Sequence, residues 1–484
     1  MLMMKPHQLF AFGLLVAFPL LLLLVWHPEK GFQVFEDVTL QFPTFRKIFF
    51  PPSDTVSTDT SDLFSDVRDP EVLKRKQDSL RAAPFQIHYP HGDPSFLYPL
   101  FDAIQSLQPG KRAVHILHFG GSQIEGDRIT EDLRAKLQGR FGGKGPGWLP
   151  AVPYVGSRSF TIEYSDNWQR HALYGLIDTT VQHNHYGALG LYARFTDPAD
   201  SISTDTTSQH AWIQYQSRYG ADVNVKSFRR FTLFYGYHRH PVELTLMGGD
   251  QIIHQTTLQP SERTAVFQYA LPQARREIKL EFTGKESPEV YGVSLEGSSG
   301  ILVSNISLRG QSGTHFWTQP AHQLRTMFGT SNIKLIILQF GANVVPYTTT
   351  DTLIAEYCYR FGKNIEYLKK LIPGVSVIVI GPADMAMKQG TEWVSYPLLP
   401  RLRDVMKKTA FAAGSAYWDP YAAMGGAGTI MDWVSAQPPL AANDHVHFTV
   451  EGAEKIAQWF YDALIKDYEQ YLEGNKKEND EETR

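Results

Sequence analysis

The sequence is poor in cysteine. Cys358 is the single one in 484 residues, which excludes an intramolecular disulfide and a cysteine-based zinc site. It lies in a stretch of helical appearance with no partner for nucleophilic chemistry, and it reads as a buried structural thiol. The chain also lacks a strong charge balance of either sign. A formal net charge of −4 offers no concentrated basic face, which speaks against nucleic acid as a partner. No internal repeat is visible.

What the chain does have begins at the N-terminus. Residues 9–26 carry no charge, and residues 21–25 are solidly apolar. That length is near the lower limit for a bilayer span. Lys5 on the short N-terminal side favours an N-in orientation. The alternative is a cleaved signal peptide, but no small-x-small cleavage site follows Trp26. Residues 1–30 are therefore expected to form a membrane anchor or signal, with the remainder exported. Residues 31–94 read as a stalk rich in Ser, Thr and Asp around 51–62, with a polar helix expected near 70–82. Aromatic residues reach 13%, a supply that packs sheet cores and also suits stacking on sugar rings.

The middle of the chain changes style twice. Residues 113–119 are a buried-strand candidate, a Gly-Gly-Ser turn follows, and residues 129–137 show helical spacing. From about 150 to 300 the pattern is short strands of period two (160–164, 211–215, 231–235, 242–246 and 278–282), with no convincing long helix. Such spacing predicts a β-sandwich. Continuous apolar runs return at 333–340 and 375–380, as in parallel strands covered on both faces, with helices at 353–371, 399–413 and 452–472. The expectation is an α/β domain in two parts, 95–150 and 301–472, split by an all-β insertion at 151–300. The charged residues 473–484 read as a solvated, disordered tail.

Four short blocks carry candidate chemistry. Gly120-Gly121-Ser122 places a serine at a strand-to-helix turn, at the carboxyl end of a parallel sheet where open α/β folds put their sites. The helix after it, at 129–137, would aim its N-terminal N–H groups at the site. A serine nucleophile needs a base, and the base needs an orienting carboxylate. Asn443-Asp444-His445-Val446-His447 supplies both in one loop, with His445 as a competing base. His-x-His also suggests metal, but no further ligands are evident nearby. Gly313 and Asn343 follow two other strands, and with the Ser122 N–H they offer donors for an oxyanion. His115 and His118 read as packed histidines, Arg128 as a sugar contact or a surface ion pair, and Asp384 as a helix cap.

The order of these blocks resembles the SGNH, or GDSL, hydrolase family, named for Ser, Gly, Asn and His, matched here by Ser122, Gly313, Asn343 and His447. Asp444 to His447 fits the family's closing Asp-x-x-His. The stretch 116–127 resembles the first block of bacterial peptidoglycan O-acetylesterases, which also carry an inserted β-sandwich module. The resemblance covers roughly residues 95 to 470. It implies a three-layer α/β/α domain with a parallel sheet, interrupted by a jelly-roll-like sandwich of carbohydrate-binding type. It implies a Ser122–His447–Asp444 triad, an oxyanion hole from Ser122, Gly313 and Asn343, and no cofactor or metal. The implied partner is an acetylated glycan, first of all peptidoglycan, met in the periplasm by a protein anchored in the inner membrane of a bacterium. An O-acetyltransferase and a non-catalytic glycan-binding envelope protein are the alternatives. Two positions depart from the family pattern: Gly121 stands where an Asp is usual, and Val344 where an acid follows the Asn.

Overall fold

The computed structural model describes residues 32–35, 38–40, 85–110, 112–175, 181–196 and 207–482, with side chains up to 476. The chain divides into two units, residues 1–60 and 61–484. In the first, β1 (Phe32–Phe35) pairs antiparallel with β2 (Val38–Leu40). The expected anchor at 1–30 and most of the expected stalk, with its helix near 70–82, lie outside the described residues. Among the described residues no helix is long and apolar enough to cross a membrane.

The second unit starts with β3 (Ile87–His88), α1 (Tyr98–Gln105), β4 (Val114–Gly120) and α2 (Thr130–Phe141). The insertion follows as β5 (Gly147–Pro150), β6 (Phe160–Tyr164), β7 (Gln169–Ala172), β8 (Leu191–Arg194), β9 (Gln209–Ser217) and β10 (Phe228–His238). It continues as β11 (Val242–Gly248), β12 (Gln251–Leu258), β13 (Ser261–Arg275), β14 (Glu277–Gly284) and β15 (Glu289–Glu296). The chain then returns through β16 (Ile301–Ser307), α3 (Ala321–Phe328), β17 (Asn332–Gln339), α4 (Asp351–Leu371) and β18 (Ser376–Ile380). A hairpin of β19 (Ala386–Gln389) and β20 (Glu392–Ser395) precedes α5 (Leu399–Ala412) and β21 (Ala416–Trp418). Three helices end the chain, α6 (Pro420–Met424), α7 (Thr429–Ser435) and α8 (Val450–Glu482).

The central sheet has the order β16-β4-β17-β18-β21-β3, parallel except for the antiparallel edge strand β3. Its apolar runs are unbroken because both faces are covered. Leu117, Phe119, Ile336, Leu338, Val377 and Val379 face a core shared with α4 and α5. Their alternates, including Ile116, Leu335, Ile337, Ile378 and Ile380, face a second core shared with α1, α2 and α8. Each such side chain contributes about 1.5–3 kcal/mol by leaving water. Cys358 is buried in the first core, and burial pushes its thiol pKa up, consistent with a structural role.

The insertion is a sandwich of two antiparallel sheets around its own core of residues such as Phe160, Tyr215, Leu244 and Phe282. One sheet reads β13-β10-β15-β8 and the other β12-β11-β14-β9, which is the strand order of a jelly roll; β5, β6 and β7 extend it. Its boundaries differ from the expected 151–300. Gly147 already pairs with Leu295, so the sandwich begins at β5, and its last strand ends at Glu296. The α/β part likewise begins before residue 95, because β3 completes the edge of the central sheet. The expected disordered tail is also corrected: α8 runs on to Glu482, in a Lys- and Glu-rich segment whose residues are good helix formers.

The join between the two parts is built at Trp148. Its backbone N–H donates to Ser304 Oγ at 2.8 Å, and that hydroxyl meets His115 Nε2 at 2.6 Å. Gly147 precedes it with φ +79°, and a Cβ there would lie 2.2 Å from the same hydroxyl. The fully buried indole packs between Phe234 of the sandwich and Phe328 of the α/β part. Trp148→Ala is expected to lower stability by about 3–5 kcal/mol, read by chemical denaturation, because it empties the joint core. A loss below about 1 kcal/mol would show that the two parts are held together elsewhere.

Candidate active site

Four loops meet at the carboxyl edge of the central sheet. β4 runs into Gly121 and Ser122, and β17 runs into 340–343. The segment after β16 brings Gln311 and Gly313, and the loop before α8 brings Asp444 and His447. His447 Nε2 lies 2.7 Å from Ser122 Oγ, and His447 Nδ1 lies 2.7 Å from Asp444 Oδ2. The other carboxylate oxygen, Oδ1, accepts the backbone N–H groups of Val446 and His447, each at 3.0 Å. Partial burial raises the Asp444 pKa, but the hydrogen bonds and charge of the His447 block outweigh it and hold the carboxyl below its usual value. The carboxylate is therefore ionised at neutral pH and oriented to fix the imidazole. His445 is no rival: its ring stacks on Trp393 at 3.8 Å, and its Nδ1 faces the Asn443 carbonyl oxygen at 2.9 Å.

Two of the expected oxyanion donors, Ser122 and Asn343, meet around Gly121. Asn343 Nδ2 donates to the Gln311 carbonyl at 2.8 Å, which holds the amide against the nucleophile turn. A Cβ on residue 121 would lie 2.6 Å from that nitrogen. Gly121 has φ −87°, so glycine is required here for space and not for conformation. The unusual residue in the first block thus makes room for the amide. Gly313, by contrast, has φ +78°, and a Cβ there would strike the Phe340 ring at 2.5 Å. Its loop is also fixed by the Tyr357 hydroxyl, which donates to the Ser312 carbonyl at 2.9 Å. A small cavity lies beside Ser122 and Asn343, walled by Pro382, Pro420 and Phe448. Its largely apolar walls, with the Asn343 amide at one side, suit a short acyl group.

The helix expected after Ser122, at 129–137, is present as α2, but it does not abut the serine. Residues 122–127 form a short 3-10 turn that breaks at Glu125, Gly126 and Asp127, and α2 begins only at Thr130. The turn is held by side chains. Arg128 donates to the carbonyls of Ser122 (3.2 Å), Glu125 (3.3 Å) and Phe448 (3.2 Å), which gives it a bracing role. Gln123 Nε2 donates to the Val446 carbonyl at 2.6 Å. Together they tie the serine turn to the histidine loop, a role that no sequence signal reveals. Asp127 is buried in a two-pronged pair with Arg134 at 2.7 and 2.9 Å. His118 packs between Gln339 and Thr130, and Asp384 accepts the Ile430 N–H at the start of α7, as expected for a packed histidine and a helix cap.

A serine, histidine and aspartate so connected at the edge of a three-layer α/β/α sheet define a serine-hydrolase type of site. No family model matches the chain, and no curated protein does. Solved structures do. A peptidoglycan O-acetylesterase superposes with a TM-score of 0.60 at 19% identity, covering 79% of this chain and 98% of that one. The chain therefore has that protein's fold, insertion included. An acetyl xylan esterase (TM-score 0.26, 14% identity, 34% of this chain and 81% of that one) is a looser likeness. So is a family two carbohydrate esterase from Cellvibrio japonicus (TM-score 0.24, 9% identity, 64% and 99%). The α/β domain with an inserted sandwich, expected from the sequence, is thus a fold shared with a solved structure.

Gly121→Ala tests the oxyanion assignment. The added methyl displaces the Asn343 amide without touching the triad. The expected result is a fall in kcat of about 10²–10³ with KM little changed, the loss typical of one oxyanion donor. Unchanged kcat would remove Asn343 from the site.

Proposed function

We propose that the protein removes O-acetyl groups from a glycan outside the cytoplasm, peptidoglycan first, through an acetyl-serine intermediate. The observation that carries this reading is the continuous relay from Ser122 Oγ through His447 to Asp444, facing a short acyl cavity with an amide at its wall. His447 Nε2 takes the Ser122 proton as Oγ bonds to the acetyl carbon. The N–H groups of Ser122 and Gly313 and the Asn343 amide hold the oxyanion. On collapse the C–O bond to the sugar breaks, and His447 returns the proton to the sugar oxygen. Water, activated by the same imidazole, then frees acetate and restores the serine.

The substrate class is supported by a second cavity. A cleft runs between the serine turn and the jelly roll, from Glu125 and Gly126 to Tyr154 and Tyr174. Tyr154 is partly exposed there, and its ring is backed by the Arg170 guanidinium at 3.4 Å. A rigidly backed aromatic face beside such a cleft suits a sugar ring. The peptidoglycan O-acetylesterase with the same fold makes that glycan the first choice. The apolar segment at 9–26 would hold the protein at the membrane with this cleft on the periplasmic side.

The test is acetate release by the purified full-length protein from O-acetylated peptidoglycan and from a small activated acetate ester. Ser122→Ala is expected to lose about 10³-fold or more on both. Tyr154→Ala is expected to raise KM for the glycan by roughly three- to tenfold and to change turnover of the small ester less. Acetyl transfer to an acceptor without acetate release, or equal inertness of folded wild type and Ser122→Ala, would overturn the hydrolase reading.

A further inference from the structure

Away from the triad, the jelly roll holds a second cluster of groups with no part in ester chemistry. His183 and His185 lie two residues apart in an extended segment, so both rings point to one side. The rings stack with centroids 3.4 Å apart. Both turn a nitrogen to the buried Glu289 at the start of β15: His183 Nε2 lies 3.5 Å from Oε1, and His185 Nδ1 lies 3.0 Å from Oε2. The ligand atoms of all three residues lie within 4.8 Å of one another. For zinc bonds of about 2.0–2.1 Å, tetrahedral geometry puts neighbouring ligand atoms roughly 3.3 Å apart, close to the two nitrogen-to-oxygen distances here.

We propose that His183, His185 and Glu289 bind a divalent transition metal ion of the zinc class, with one coordination position left to solvent. Two imidazoles and a carboxylate are a donor set that suits such an ion. The Tyr291 hydroxyl donates to Glu289 Oε2 at 2.7 Å and fixes the carboxylate from behind, a common support for a metal ligand. Arg194 is the competing cation, 3.9 Å from Glu289 Oε1, and Glu286 also engages it at 3.5 Å.

The place of the cluster gives the ion a structural task. The segment that carries both histidines docks on the α/β part. Gln323 Nε2 of α3 donates to the His185 carbonyl at 3.0 Å, the Gly187 N–H donates to Gln323 Oε1 at 3.1 Å, and the Asn184 amide donates to the Thr318 carbonyl. An ion joining His183 and His185 to Glu289 would lock this docking segment to the sheet of the insertion.

The full-length protein, stripped with a chelator, is to be titrated with Zn²⁺ by calorimetry and with Co²⁺ by visible absorption. The expected result is one ion per chain, a higher Tm with metal, and a cobalt spectrum of low coordination number. The paired change His183→Ala and His185→Ala, and separately Glu289→Gln, should weaken binding by about tenfold or more. His183→Gln, which keeps a polar side chain of similar size, serves if the paired variant fails to fold. Ser122→Ala should bind the ion as wild type does. Absence of binding overturns the proposal. So does binding that survives His183→Gln and Glu289→Gln but is lost in His447→Gln, which would place the ion at the triad.

Discussion

The in-register parallel pairing of β16, β4, β17 and β18 is the constraint on which the site depends. Gly120 is level with Ser307 on one side and with Gln339 on the other, and Gln339 is level with Ile380. The strands end flush, so the loops bearing Ser122, Gly313 and Asn343 leave the sheet at one height. That register is held because each strand has apolar residues on both faces, and a slip would break two cores at once. The histidine loop belongs to no strand. It reaches Ser122 through the Arg128 and Gln123 bonds to the Phe448 and Val446 carbonyls.

The jelly roll contributes a wall and not a catalytic group. It enters and leaves the α/β domain at the edge formed by β16, where Trp148 and Ser304 clamp it down. That attachment leaves a cleft beside the serine turn, lined from both parts. The same arrangement separates two tasks physically. On the proposed reading, the acyl cavity lies inside the α/β domain, and the surface for the rest of a substrate lies between the two parts.

Much of this was legible in the sequence, and for specific reasons. The apolar runs at 333–340 and 375–380 signal parallel strands because burial on both faces removes polar alternation. Period-two strands reveal the insertion for the converse reason. Ser122, Asp444 and His447 were legible because a triad demands those residue types and a single loop holds two of them. The left-handed backbone at 126–127 was not legible, since one glycine in a turn carries little information. The Arg128 bonds go to backbone carbonyls, which leave no mark on side-chain identity. Glu289 lies far along the chain from His183 and His185, so only the folding of the jelly roll brings them together. The boundary at Gly147 was missed because β5 is short and pairs with a strand at the far end of the insertion.

The central claim is that Ser122 is an activated nucleophile. It is tested most directly by incubating the full-length protein with a phosphonate ester that traps activated serines, then locating the adduct by mass spectrometry. The expected result is a single adduct on Ser122, absent in Ser122→Ala and much slower in His447→Ala. Labelling of another residue, or no labelling of a folded protein, would contradict the account.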